Sequence, residues 1–171
     1  MQDETKAEYW KQYRETQGVK HELIRHYLNA WFPILCLGGN NEAVIYFDTH
    51  AGRGRHESGQ EGSPLVALHA LLDHRVRDKI LKCSIVKSFF VEKEPEHEQR
   101  LRQELEQVGK DRRFSRDRIE IRLGFDDAFQ LIESICADLD SKRARPYLSL
   151  VSNTIVRKEP HGPRCKILGL S

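Results

Sequence analysis

The stretch Ala43-Val-Ile-Tyr-Phe-Asp48 constrains this chain more than any other. It is a continuous apolar run that closes on a carboxylate, too short for a helix and without alternation. Such a run suits a strand covered on both faces, as in the interior of a parallel sheet. Parallel strands need a long crossover, usually helical, and the sequence supplies one. Thr49–Gly62 is fourteen residues with four glycines and almost no hydrophobics, a length at which βα loops are usually functional or mobile. Ser63-Pro64 restarts regular structure, with Ser63 expected to cap and Pro64 to take the first helical position. Leu65, Leu68, Leu71 and Leu72 form that helix's apolar stripe.

The unit recurs. Ile85–Val91 reads as a strand ending at Glu92, and Pro95–Val108 as a charged helix with Leu101, Leu105 and Val108 inward. Arg118–Leu123 alternates as a third strand, followed by Gly124 and a helix from about Asp126 to Leu139; Tyr147–Val151 is a fourth, short strand. Strands alternating with helices predict a doubly wound, mostly parallel α/β sheet with helices on both faces. An N-terminal helical segment precedes it. In 19–35 the residues Val19, Leu23, Ile24, Tyr27, Leu28, Trp31, Phe32 and Leu35 recur at three- and four-residue steps, read as one buried face. The expected division is a helical segment over 1–37, an α/β domain over 43–151 and a basic, poorly ordered tail over 152–171. If the fourth strand lies beside the first, it leaves an open edge, which natural proteins cover. Either a protein partner covers it, or the chain is a truncated version of a longer domain.

The 171 residues fit one domain. No stretch approaches the ~20 apolar residues of a membrane span. The polar start Met1-Gln-Asp-Glu-Thr-Lys lacks the apolar core of a secretory signal, so a cytoplasmic location is expected. Cys36, Cys83, Cys136 and Cys165 are widely spaced, with no zinc-type pairing. The first three have apolar neighbours and are read as buried, reduced thiols. Net charge is +2, but residues 141–171 carry seven Lys/Arg against Glu159 alone. That charge could contact nucleic acid, although no aromatic interleaving accompanies it.

Ligands of open α/β sheets bind beyond the strands' carboxyl ends, and three features fall there. Asp48-Thr-His-Ala51-Gly52-Arg-Gly54 follows the first strand; it is neither the dinucleotide fingerprint, since Glu57 replaces the third glycine, nor a P-loop. Glu92 ends the second strand and could accept both hydroxyls of a ribose, or be a plain surface carboxylate. Asp126 or Asp127, after the third, could bind an adenine amino group or cap the following helix. His50, His56, Arg53 and Arg55 crowd the glycine loop, either to steer an anion or as a solvated face. His69 and His74 are five apart, not the four needed to share a metal on one helix face, and no metal site is expected. Lys20-His21 is read as surface.

The segments Lys20–Trp31, Tyr46–Gly54, Gly62–Ala67 and Phe90–Glu92, in this order, resemble the bacterial three-Cys-motif partner protein family. Its members are similar to S-adenosylmethionine-dependent methyltransferases of the Rossmann-like class. The resemblance covers residues 17–151. It implies that Asp48, Gly52 and Gly54, with Ala51 in the same set, line the methionine part of S-adenosylmethionine. Glu92 would hold the ribose and Asp126 would sit near the adenine. After the fourth strand the family has an Asp-Pro-aromatic-Gly segment facing the substrate, whereas this chain reads Ser152-Asn153-Thr154-Ile155. Two functions are therefore expected as alternatives: a methyltransferase-like protein of unread acceptor, apparently truncated after the fourth strand, or a non-catalytic interaction module on a degenerate methyltransferase fold.

Overall fold

A computed structural model of the chain describes residues 15–38, 41–124, 148–151, 154–157 and 166–169. In chain order the elements are α1 (Glu15–Leu37), β1 (Ala43–Asp48), α2 (Ser63–Leu72), α3 (Arg77–Cys83), β2 (Ile85–Val91), α4 (Pro95–Val108), β3 (Ile119–Gly124), β4 (Leu148–Val151), β5 (Thr154–Arg157) and β6 (Lys166–Gly169). They build a mixed α/β structure around one sheet of order β3-β2-β1-β4-β5-β6. The apolar run of β1 takes the interior position that its pattern demands, parallel to β2 on one side and β4 on the other.

One face of the sheet presents Val44, Tyr46, Val86, Phe90 and Ile119 to a core shared with α1, α2, α3 and α4. Nearly the whole circumference of α2 is buried, because α1 and α4 flank it and its leucines join the core. The other face carries Phe47 stacked on Phe89 at 4.9 Å, with the Arg122 guanidinium 5.6 Å from the Phe89 ring. These three residues are direct cross-strand partners in the β1–β2–β3 register, the pairing that stabilises sheets side chain by side chain. Among the described residues every helix packs on the first face. The helix expected over Asp126–Leu139 lies outside them.

Four expectations change. The segment 152–171, read as a tail, contributes β5 and β6, antiparallel to their neighbours; Thr154-Ile-Val is β-branched and suits a strand. The edge of β4 expected to be open is consequently paired by β5, and the partner expected there loses its site. Cys36 is buried, its thiol pushed up to about 11 by desolvation, but Cys83 is exposed. It ends α3, a short helix the pattern did not show, on the side away from buried Ile80 and Leu81. Lastly, α1 does not bury the face read from the sequence. Leu28, Trp31, Phe32 and Cys36 are buried, whereas Val19, Leu23 and Tyr27 are exposed. Steps of four advance 400°, so a chain of them winds off any one face.

Pro33 sits inside α1 and cannot donate to the Asn29 carbonyl. The His74 ring replaces the missing donor, with Nε2 2.9 Å from that oxygen, while its Nδ1 accepts the Val76 N–H at 3.1 Å. The two contacts fix His74 as the neutral Nε2–H tautomer and explain its burial without a metal.

Candidate functional site

The order of the strands reverses at β1, with β2 on one side and β4 on the other, and crevices for ligands open at such reversals, beyond the strands' carboxyl ends. Asp48 is the last residue of β1 and is 2% exposed. Its Oδ1 accepts the His50 N–H at 3.2 Å, and the nearby Ser63 hydroxyl favours the charged form of the same carboxyl. Ser63 does not cap α2, whose cap position is Gly62 without a side-chain cap bond. Burial raises the pKa of Asp48 above the ordinary carboxylate value, opposed by these groups and by the charge of Lys20. Its Oδ2 is buried without a hydrogen-bond partner, as is the Tyr46 hydroxyl two residues earlier on the same face. A buried acceptor in this state is costly unless something occupies it.

The glycine loop is folded back on itself. Gly62 N–H donates to Gly54 O at 2.7 Å, His56 N–H to Gln60 O at 2.9 Å, and Arg55 bridges Glu61 as an isolated antiparallel pair. Gly52 (φ 65°) and Gly54 (φ 83°) take left-handed conformations that side chains disfavour. A Cβ on Gly54 would lie 3.0 Å from Leu101 Cδ1, so this glycine admits α4 rather than a ligand. Ala51 N–H donates to Val91 O at 3.0 Å, which ties the loop to the end of β2. Glu92 follows, half-exposed; its Oε1 accepts the Glu94 N–H at 2.9 Å at the start of α4, and its own N–H reaches Gly124 O at the end of β3. Asp48, Ala51, Gly52 and Glu92 thus share one rim of the sheet. Gly54 supports it from behind, and Asp126 lies outside the described residues.

Ion pairs clamp the loop to its surroundings. Glu61 takes His69 Nδ1 at 2.7 Å and Arg25 from α1 at 3.5 Å, while Arg55 reaches Glu104 of α4 at 3.2 Å. The His69 bond holds Glu61 below its usual range, and the same bond raises His69. Arg53 and His56 are buried, not the solvated face that was one of their two readings; Arg53 pairs with Glu57 at 3.2 Å. These residues line a cavity of about 340 Å³ with Arg55, Arg100, Gln103 and Glu104. A larger groove, about 890 Å³, runs along β3 beside α4 and includes none of the residues at the rim.

His21 is the residue that sequence reasoning placed wrongly. It is buried, its ring 6.3 Å from that of His56, and desolvation, then the charge of His56, lowers its pKa to about 4. The signal was present in the spacing of 21, 28 and 32, which share the buried side of α1. Among the described residues no group of three His, Cys, Asp or Glu is placed to hold a metal ion, and no helix is long and apolar enough to cross a membrane. No protein-family model matches the chain, and no curated protein matches it.

Proposed function

We propose that the chain is an S-adenosylmethionine-binding, methyltransferase-like protein on a Rossmann-like, doubly wound scaffold. The observation that carries this reading is the buried Asp48 carboxylate, with one oxygen unpartnered at the point where strand order reverses. An acceptor of that kind suits the ammonium of an amino-acid moiety. The strand order β3-β2-β1-β4 in parallel supports the scaffold. The residues fit the cofactor in part. Asp48 would accept from the methionine ammonium, the Ala51–Gly52 backbone would line the same end, and Glu92 Oε2 would accept ribose hydroxyls while Oε1 keeps its bond to Glu94. Gly54 does not fit a ligand contact, because α4 occupies its open side.

S-adenosylmethionine supplies an activated methyl group when bound. Transfer is an in-line displacement that depends on alignment in a dry site, and the chain's part would be to hold the adenosyl and methionyl ends so that the sulfonium is fixed. Titration calorimetry with S-adenosylhomocysteine tests the reading. Binding to the wild type that Glu92→Gln weakens at least tenfold supports it; folded wild-type protein that takes up no ligand removes it. The second reading, an interaction module without catalysis, draws on the exposed apolar residues of α1 and would leave calorimetry silent.

A further inference from the structure

On α1 the apolar residues fall into two stripes. Leu28, Phe32 and their neighbours face the core; Val19, Leu23, Tyr27, Ile34 and Leu37 lie roughly 160° around the helix at 100° per residue, each between 41% and 69% exposed. Ala30 is exposed on the same line. Leu23, Tyr27, Ala30, Ile34 and Leu37 are spaced 4-3-4-3, the seam of a left-handed helix pair. We infer that this stripe is the contact between two copies of the chain, joined through their α1 helices in antiparallel register.

The sequence of the seam is complementary to itself in that register and not in the in-register parallel pair. Opposite directions bring Leu23 against Ile34 of the second copy and Tyr27 against Ala30. In the four layers from Leu23 to Ile34 a large ring therefore meets a methyl group and leucine meets isoleucine, while Leu37 at each end lies opposite Lys20. In a parallel pair Tyr27 would meet Tyr27, and Ala30 would leave a gap against Ala30. The antiparallel register also sets Lys20 beside the last turn of the other helix, at Leu37. That turn has no basic residue of its own, and its free carbonyls favour a cation. Val19–Leu37 spans about 27 Å at 1.5 Å per residue. Pairing along it would bury on the order of 1,000 Å² in total, the lower bound for a specific contact and the size of a weak, concentration-dependent one. The inference does not rest on cofactor binding.

Sedimentation velocity of the full chain from about 1 to 100 µM tests it. The wild type is expected to pass from monomer to dimer, and Leu23→Glu to remain monomeric with an unchanged far-UV spectrum, since residue 23 touches no core. A size exchange separates the register from mere stickiness. Ala30→Tyr alone should weaken the dimer at least tenfold, and Tyr27→Ala combined with Ala30→Tyr should restore it. A wild type that stays monomeric throughout, as when residues 1–14 or another protein cover the stripe, overturns the inference. So does a double variant no tighter than Ala30→Tyr.

Discussion

Acid should loosen α1 from the glycine loop through one residue, His21. Its pKa is about 4 in the folded chain against an ordinary 6.5, so the unfolded chain takes up the proton first as pH falls. The stability that neutral His21 provides is complete above about 6.5 and is lost as pH drops toward 4. The gap corresponds to about 3 kcal/mol, an upper bound that solvent screening lowers. Asp48 and His69 have raised values and titrate with their own slopes, so wild type alone does not isolate His21. The difference between wild type and His21→Gln does. Urea unfolding at pH 7 and at pH 4.5 should show the wild type losing about 2 kcal/mol more than the variant over that interval. Parallel losses in the two proteins would refute the reasoning and place His21 in contact with water.

Asp48→Asn should leave stability at pH 7 equal or higher, by up to about 1 kcal/mol, because it removes a buried charge that the fold disfavours; a chemical-denaturation midpoint that falls contradicts the assigned burial cost. The same change should abolish binding of S-adenosylhomocysteine by calorimetry. Gly54→Ala meets Leu101 and a left-handed backbone at once and should cost about 2–4 kcal/mol in thermal or urea unfolding, whereas Gly59→Ala, with φ 93° and nothing within 4 Å, should cost about 1 kcal/mol. His74→Ala should cost about 1–3 kcal/mol by leaving the Asn29 carbonyl without a donor. Adding Pro33→Ala should recover part of that loss, because the helix then regains its own N–H; purely additive effects in the double-mutant cycle would argue against the link.

The local reading of the sequence was sound where burial and periodicity agree. Ala43–Asp48, Ile85–Val91 and Pro95–Val108 stand as read, because a run buried on two sides and a helix with a single stripe at 101, 105 and 108 each admit one interpretation. Helix α1 was harder: two apolar stripes on one helix look like one wide stripe until the neighbours are known, and His21 was lost within it. Helix α3 has only Ile80 and Leu81 buried in seven residues, too few to show a period. Of the site, Asp48 and the glycines were visible because turn chemistry and strand ends are local. The Glu61–His69–Arg25 clamp joins residues 36 and 8 positions apart, and no local pattern could reveal it. Gly54 looked like a ligand contact for the same reason: what a missing Cβ admits depends on where α4 packs.

On the proposed reading, the carboxyl ends of β1 and β2 form the binding rim for an adenosyl-containing ligand. Hydrogen exchange of the full chain, with and without saturating S-adenosylhomocysteine, tests it most directly. New protection is expected only at the amides of residues 49–54 and 92–94. Protection centred on the β3–α4 groove, or an unchanged pattern at saturation, would contradict it.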